Sequence, residues 1–256
     1  MEKQKITVCW LSAGVSSFIA GWLKQDYINE YIYIDIADQH PDSMRFINDC
    51  QRVLKRPVII MSSDEYRSVS DCVKVAGGFR NGRNLFYPCT NWLKKRVRKV
   101  WEEAHKDYDI TYVWGFDVDE QDRAVRLVEA MPQFEHCFPL IDELLDKQAC
   151  HGICKALGVK RPEMYDLGYS NNNCVGCVKG GIGYWNKIRV DFPEVFAERS
   201  KLEREICNTI LHDDKGPIWL DELDPDRGRM QDEIMDDCGI FCELTLKERS
   251  IKSELE

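Results

Sequence analysis

Short apolar runs alternate with amphipathic stretches along the first part of the chain. The apolar runs predict strands at residues 6–11, 31–36, 57–61, 110–114 and 136–139. The stretches between them repeat with the helical period of about 3.6 residues, at residues 18–24, 41–54, 64–76, 91–105 and 120–131. Strands separated by helices of this length pair in parallel through right-handed crossovers. The pattern therefore predicts an α/β fold with a doubly wound, mostly parallel sheet.

The character of the chain changes near residue 140. A helix is predicted at residues 146–157, a segment rich in turn-forming residues at 169–181 and a charged helix at 193–206. Asparagine, glycine and cysteine dominate the middle segment, which favours a loop. We therefore predict an α/β domain at residues 1–145, and a mainly helical, cysteine-containing region at residues 146–256 that packs on it.

Composition narrows the class of protein. The chain has 256 residues, and its 44% hydrophobic and 31% charged residues are typical of a globular protein. It contains no apolar run as long as a membrane span and no signal-peptide core, which predicts a cytoplasmic protein without membrane contact. The net charge of −9 argues against an extended nucleic-acid interface. Twelve cysteines in such a chain predict metal or redox chemistry rather than disulfides.

The turn after the first predicted strand is a candidate binding site. This turn, the 12–17 loop, consists of Ser12, Ala13, Gly14, Val15, Ser16 and Ser17. Small residues between a strand and a helix let backbone N–H groups and the helix N-terminus converge on a phosphate. The loop matches neither the Gly-Lys-Ser/Thr phosphate loop nor the G-x-G-x-x-G dinucleotide pattern. It is therefore a phosphate site of another kind, or an ordinary turn.

Basic residues are concentrated on one predicted helix of this acidic chain. They are Lys94, Lys95, Arg96, Arg98 and Lys99. Such a run is either a solvated helix face or a patch that receives phosphate, sulfate or a nucleic-acid backbone. The spacing alone leaves both interpretations open.

Several motifs, taken together, resemble one superfamily. They are the 12–17 loop, Pro88-Cys89-Thr90 with Leu93-Lys94, Gly115 with Glu120 and Arg123, Pro139-Leu140, and the cysteine segment at 171–181. Their order is similar to that of the adenine nucleotide α-hydrolase superfamily, whose pyrophosphate loop reads S-G-G-x-D-S. The closest likeness is to its phosphoadenylyl-sulfate (PAPS) reductase-type branch, and within that branch to a phage- and prophage-associated group. The resemblance spans residues 7–242.

This resemblance implies an enzyme that binds ATP or a related adenine nucleotide. The 12–17 loop would hold the distal phosphates. Asp35 and Asp38, which follow the second strand, would lie near the adenosine, and Gly115 would lie at the same edge of the sheet.

The resemblance also implies roles for three basic residues. Lys94 and Arg98 would face the phosphates, with Lys94 acting in catalysis. Arg123 would also face the phosphates and act in catalysis, or it would form a salt bridge to Glu120 or Glu129. The two interpretations stay open.

Two positions of the 12–17 loop depart from the superfamily pattern. Ala13 replaces a glycine, which has more freedom at positive φ. Ser16 replaces the aspartate that positions Mg²⁺, and a hydroxyl is no substitute for a carboxylate ligand of a hard cation. Either another acid such as Asp38 or Asp117 holds Mg²⁺, or ATP is not cleaved in the usual way.

Two cysteine pairs are candidate metal ligands. Cys174 and Cys177 flank two residues in a glycine-containing turn, and Cys238 and Cys242 form a pair near the C-terminus. Four thiolates from two short loops suit tetrahedral Zn²⁺ or a [4Fe-4S] cluster. Cys238 also resembles the nucleophile in the C-terminal Cys-Gly-Ile/Leu-His of PAPS and adenylyl-sulfate reductases, although Phe241 replaces the histidine.

A further pair, Cys150 and Cys154, lies one helical turn apart. These thiols are either an alternative second pair of ligands or part of the helix packing, and packing is the preferred interpretation.

Three functions follow from these residues. The first is an enzyme that activates a substrate by adenylylation or transfers sulfur, helped by a cysteine-bound metal centre. The resemblance makes a nucleic acid or a sulfur carrier its substrate and a cysteine desulfurase its partner. The second is a PAPS or adenylyl-sulfate reductase with Cys238 as nucleophile. The third is a nucleotide-binding module without catalysis, held together by structural zinc. The oligomeric state is not predicted.

Overall fold

Five parallel strands form the central sheet of the computed structural model, which describes residues 3–80 and 87–230. The strands are β1 (Gln4–Leu11), β2 (Glu30–Ile34), β3 (Val58–Met61), β4 (Tyr108–Val113) and β5 (Glu135–Cys137). Their order across the sheet is β3-β2-β1-β4-β5, so β1 lies in the middle between β2 and β4. The predicted α/β fold with a parallel, doubly wound sheet is confirmed.

Helices connect the strands and continue beyond the sheet. In chain order they are α1 (Val15–Leu23), α2 (Asp42–Leu54), α3 (Val69–Ala76), a π-helical turn (Thr90–Lys95), α4 (Arg96–Ala104), a 3₁₀ turn (Val118–Glu120), α5 (Gln121–Ala130), α6 (Pro139–Asp142), α7 (Lys147–Ala156), α8 (Glu163–Asp166), α9 (Ile182–Asp191), α10 (Pro193–Ile206) and a second 3₁₀ turn (Leu220–Glu222). An antiparallel hairpin, β6 (Leu211–Asp213) with β7 (Gly216–Ile218), lies between α10 and the last turn.

The structure corrects several predicted boundaries. The helix predicted from residue 64 begins only at Val69, because Ser68 and Asp71 form a capping box there. The helix predicted at residues 91–105 begins with the π-helical turn, in which the N–H of Arg96 donates to the carbonyl of Asn91. The sequence pattern missed α9 and the β6–β7 hairpin altogether.

The chain divides into two compact units, each made of three segments. The described residues of the first unit come from Met1–Asp35, Pro41–Ser62 and Val97–Tyr165. Those of the second unit come from Ile36–His40, Ser63–Arg96 and Asp166–Glu256. The division into residues 1–145 and 146–256 stays a prediction.

Alternate side chains of β1 are buried on opposite faces of the sheet in the first unit. Cys9 and Leu11 belong to a buried cluster that includes Phe18 of α1. Trp10, between them, points to the opposite face and packs edge-to-face on Trp101 of α4, with ring centroids 6.0 Å apart. A strand buried on both faces in this way needs a continuous apolar sequence, as β1 has.

The second unit is built around α10, which packs against α9 and the second 3₁₀ turn. Tyr184 and Trp185 of α9 are fully buried, and so are two charged residues of α10, Arg199 and Glu203. Within residues 3–80 and 87–230, no helix of either unit has the length and apolar character that a membrane crossing requires.

Candidate functional site

The 12–17 loop leaves the carboxyl end of β1 and runs directly into α1, and its own side chains fix its path. The hydroxyl of Ser17 accepts a hydrogen bond from the N–H of Ser12 at 3.0 Å and donates to the carbonyl of Gly14 at 3.0 Å. The hydroxyl of Ser12 accepts from the N–H of Gly14 at 3.3 Å. The loop is therefore closed by bonds between residues at most five positions apart.

Ala13 takes a left-handed backbone conformation, with φ at +56°. That conformation costs a residue with a Cβ about 1–2 kcal/mol. The methyl group of Ala13 is only 1% exposed and belongs to the buried cluster around α1, and burying one such group contributes about 0.8 kcal/mol. Burial thus offsets much of the strain, which explains how alanine occupies this position.

Gly115, which follows β4, lies against the backbone of the 12–17 loop. A Cβ atom at this position would lie 2.5 Å from the Cα of Ser17 and 2.6 Å from its backbone nitrogen. Only glycine allows so close an approach of two backbones. The structure therefore brings together two of the predicted nucleotide-binding elements of the first unit, the loop and Gly115.

Tyr165 of α8 is a loop contact that the sequence analysis missed. Its hydroxyl accepts a hydrogen bond from the N–H of Val15 at 3.4 Å. Since the two residues are 150 positions apart, no local pattern relates the tyrosine to the loop.

Arg98 and Arg123, also in the first unit, are both paired with acids. Arg98 is buried, its Nε lies 3.3 Å from the carboxylate of Glu102, and its Nη1 donates to the sulfur of Met131. Arg123 donates to Glu120 at 2.5 Å and stacks over the ring of Phe116 at 4.4 Å. The structure thus contains the salt bridge that was one of the two interpretations of Arg123. The predicted phosphate contacts of both arginines stay predictions.

Two predicted acids of the first unit differ in exposure. Asp35 is exposed just beyond β2, and its N–H donates to the carbonyl of Met61 at 2.8 Å. Asp117 is buried and caps the first 3₁₀ turn by accepting from the N–H of Asp119 at 3.1 Å. Burial raises the pKa of Asp117, because removal from water disfavours the charged form that a metal ligand needs.

Asp38, in the second unit, accepts hydrogen bonds through both carboxylate oxygens and its backbone carbonyl. One carboxylate oxygen accepts from the guanidinium of Arg199, which is 1% exposed, and the other accepts from the N–H of Val69 at 2.7 Å. The backbone carbonyl of Asp38 accepts from the N–H of Val175 at 2.8 Å. Asp38 therefore anchors α10, α3 and the loop around Val175 to one turn, and as a Mg²⁺ ligand it would have to give up a buried ion pair.

The basic cluster does not form one face of a helix. Lys94 and Lys95 lie in the π-helical turn of the second unit, and Lys95 is 7% exposed. Arg96 is exposed, pairs with Glu65 at 2.8 Å and lies over the ring of Trp92. A π-helical turn changes the direction of the side chains that follow it and occurs often at functional sites. The predicted catalytic role of Lys94 stays a prediction.

The cysteine loop, residues 171–181 of the second unit, buries both of its thiols. Cys174 and Cys177 are 6% and 4% exposed, and Gly176 between them has φ at +68°. The hydroxyl of Tyr184 accepts from the N–H of Cys177 at 2.8 Å and donates to the carbonyl of Cys174 at 3.3 Å. One buried tyrosine therefore satisfies polar backbone groups on both sides of this turn.

Gly180 makes room for that tyrosine. A Cβ atom at position 180 would lie 1.9 Å from the ring of Tyr184. The glycines of this loop, which the sequence suggested only as turn residues, therefore also serve packing.

The predicted four-cysteine metal site stays a prediction. In the part of the chain that the structure describes, no group of three or more His, Cys, Asp or Glu side chains is arranged to hold a metal ion. Cys174 and Cys177 offer two thiols, and the predicted partners Cys238 and Cys242 lie outside the described residues.

Cys150 and Cys154 belong to the apolar cluster of the first unit. Burial raises their pKa values to about 12 and about 11, which favours the neutral thiol, as expected of packed cysteines. Their preferred interpretation as helix packing is confirmed.

No protein-family model matches this chain, and no curated protein matches it. The case for a function therefore rests on the geometry of the 12–17 loop in the first unit and of the cysteine loop in the second.

Proposed function

We propose that the chain is an adenine-nucleotide-binding enzyme of the PAPS reductase/ATP pyrophosphatase type. The observation that carries this proposal is the 12–17 loop between β1 and α1, with Gly115 packed against its backbone. The first N–H groups of a helix have no carbonyl partner within it, and the helix dipole favours an anion there. The phosphates of the nucleotide would bind at this end of α1.

The chemistry that we propose is directed at sulfur. Cleavage of ATP in this superfamily uses a carboxylate that positions Mg²⁺, and Ser16 occupies that place. Two acids considered as its replacement, Asp38 and Asp117, are engaged by Arg199 and by a helix cap. This donor set fits Mg²⁺ poorly, which favours sulfur transfer over adenylylation.

Cys174 and Cys177 would supply two ligands of a cysteine-bound centre, and Cys238 and Cys242 the other two. Tyr184 would keep the first pair in place through its two backbone bonds. A [4Fe-4S] cluster would supply redox or sulfur chemistry there, whereas Zn²⁺ would serve as a structural staple.

The second candidate function is a PAPS or adenylyl-sulfate reductase with Cys238 as nucleophile. The same engaged acids favour it, because such a reaction attacks sulfur and leaves the phosphates intact. It requires release of sulfite with a thiol reductant and loss of that activity in Cys238→Ser. Retained sulfite release in the variant contradicts this candidate and leaves sulfur transfer standing.

The test of the proposed function is calorimetric titration of the purified chain with ATP, AMP and PAPS, beside the variant Gly115→Ala. We expect at least one adenine nucleotide to bind the wild-type chain and to bind the variant more weakly. A folded wild-type chain that binds none of the three contradicts the proposal. Formation of AMP and pyrophosphate from ATP would show that cleavage occurs after all, without the expected carboxylate.

Metal and acid-labile sulfide analysis on protein purified without oxygen tests the cysteine centre. Iron with sulfide supports the cluster, and zinc alone supports the structural staple. Bound nucleotide that stays intact in a protein without a metal favours the non-catalytic module.

A further inference from the structure

The strand β3 is an edge of the central sheet and exposes apolar side chains. It pairs with β2 on one side, and in the part of the chain that the structure describes no strand lies on its other side. Ile59 and Ile60, in the middle of β3, are 40% and 45% exposed. We propose that this edge pairs antiparallel with β3 of a second copy of the chain, so that the protein forms a reversible homodimer. This inference is independent of the proposed nucleotide binding.

The backbone of β3 shows which residues face the open edge. The carbonyl of Met61 accepts from the N–H of Asp35 at 2.8 Å, so Met61 directs its polar backbone groups toward β2. Consecutive residues of a strand direct these groups to opposite sides, and Ile60 therefore directs its N–H and carbonyl away from the sheet. Within residues 3–80 and 87–230, neither of these two groups has a hydrogen-bond partner. Such unpaired groups are a template for a further strand.

The other outward-facing residue of β3 determines the register of the pairing. The N–H of Val58 donates to the side chain of Gln51 at 2.9 Å and is thereby occupied. Ile60 has both of its groups to exchange, so a twofold axis at Ile60 makes the isoleucines of the two copies a hydrogen-bonded pair. In this register Ile59 lies opposite Met61 of the second copy, and the cross-strand pairs are apolar.

The charges at the two ends of β3 favour the antiparallel direction. Lys55 and Arg56 are exposed just before the strand, and Asp35 is exposed next to the last residue of the strand, Met61. Antiparallel pairing turns the basic end of each copy toward the acidic end of the other, whereas parallel pairing would bring like charges together. Electrostatic complementarity of this kind selects the orientation of an interface.

The length and composition of β3 set the strength of the expected association. The strand has only four residues, whereas a standard stable interface buries about 800 Å² on each partner. None of the four residues is charged or a proline, and these are common means of protecting an edge from pairing. We therefore expect a dimer that forms and dissociates with protein concentration.

Sedimentation of the full chain between about 1 μM and about 1 mM tests the inference, since this range covers weak association. We expect a monomer–dimer equilibrium, with a Kd at least about tenfold higher in Ile60→Lys, because two lysines then lie opposite each other. Val128→Lys is the control, since Val128 is 42% exposed and belongs to α5, and its Kd should equal that of wild type. Ile60→Thr keeps a strand-forming residue and should raise the Kd by a smaller factor.

Hydrogen exchange at the amide of Ile60 locates the interface. We expect this amide to exchange rapidly in dilute solution and at least about tenfold more slowly in the dimer. A chain that stays monomeric over the whole concentration range, or a dimer in which the amide of Ile60 remains unprotected, overturns the inference. Protection of the same amide in the monomer also overturns it, because the edge would then be covered by a segment of the same chain.

Charge reversal tests the antiparallel direction. At low salt we expect Arg56→Glu to raise the Kd about fivefold, because the twofold axis repeats the lost attraction. Addition of Asp35→Lys should restore much of the affinity, since opposite charges then face each other again. A single variant that dimerises as wild type does, or a loss that the second substitution leaves unchanged, contradicts the antiparallel arrangement.

Discussion

The 12–17 loop and the cysteine loop are both small-residue turns that carry candidate ligands, yet they are held in different ways. The 12–17 loop is closed by the hydroxyls of Ser12 and Ser17, which bond to its own backbone. The cysteine loop depends on distant partners, since the carbonyl of Asp38 accepts from Val175 and Gln39 pairs with Cys174. One loop is specified by adjacent residues and the other by the packing of the second unit.

This difference predicts which substitutions disturb the conformation of each loop. The 12–17 loop is expected to lose its shape when the hydroxyls that close it are removed, or when a side chain is forced against its backbone, as at Gly115. A loop held from a distance loses its shape when any of its supports fails, and those supports include a buried ion pair and a buried tyrosine.

The largest effect is expected from the buried ion pair that supports the cysteine loop. Arg199→Met leaves the carboxylate of Asp38 buried without its cation, which costs about 3–5 kcal/mol. Urea unfolding measures the loss of free energy, and thiol titration should show faster labelling of Cys174 and Cys177. As a control, Arg52→Met breaks a largely exposed pair with Asp49 and should cost less than about 1 kcal/mol. Equal losses of unfolding free energy in the two variants would contradict the role of the buried ion pair as a support of the cysteine loop.

The next effect concerns the backbone under the 12–17 loop. Gly115→Ala places a methyl group against the backbone of Ser17, and we expect a loss of about 3 kcal/mol together with weaker nucleotide binding. Gly152→Ala is the matched control, because Gly152 is an exposed residue of α7 with open space around its Cα. That change should stabilise the protein by about 0.5–1 kcal/mol. Thermal unfolding measures the change in stability of both variants. If the two changes have the same sign, the close packing of Gly115 against Ser17 is contradicted.

A smaller effect is expected from the tyrosine of the cysteine loop. Tyr184→Phe leaves the buried N–H of Cys177 without its acceptor, which costs about 2 kcal/mol. The loss should be accompanied by faster thiol labelling, while Tyr27→Phe changes neither quantity. Wild-type labelling rates in Tyr184→Phe would show that the tyrosine is not a support of the loop.

The smallest effect, taken per pH unit, is a dependence of stability on pH in the second unit. Burial raises the pKa of Glu203 from 4.5 to about 7, although its carboxylate accepts the N–H groups of Ile210 and Leu220. The folded state therefore keeps a proton that the unfolded state releases. The stabilisation is fully present below pH 4.5 and is lost as the pH rises to about 7, at no more than about 1.4 kcal/mol per pH unit.

Urea unfolding across this pH range checks the dependence on Glu203. We expect the slope to flatten in Glu203→Gln, which cannot titrate. An unchanged slope in that variant would assign the dependence to another group.

The sequence analysis succeeded where the determinants are local. The apolar run of β1 and the small residues after it are short-range features, and the sheet and the 12–17 loop follow from them. It failed for α9, because Gly180, Gly181 and Gly183 at its start indicate a loop. Gly183 is required for another reason, since a Cβ there would lie 2.5 Å from the carbonyl oxygen of Arg229.

The partners of the candidate site residues were beyond any local pattern. Asp38 follows a strand as a nucleotide-binding acid would, but the structure pairs it with Arg199, 161 positions away. Tyr165 reaches Val15 from a short helix that has no motif of its own. Such contacts depend on how distant segments pack, and a single sequence does not contain that information in readable form.

The left-handed alanine of the 12–17 loop has a consequence for the thermodynamics of ligand capture. Glycine at position 13 would move among many backbone conformations before binding, whereas an alanine with a buried methyl group is confined to one. The loss of disorder is thereby incurred when the chain folds rather than when an anion arrives. A phosphate that binds this loop meets donors already preorganised, and its binding entropy should be less unfavourable than with Ala13→Gly.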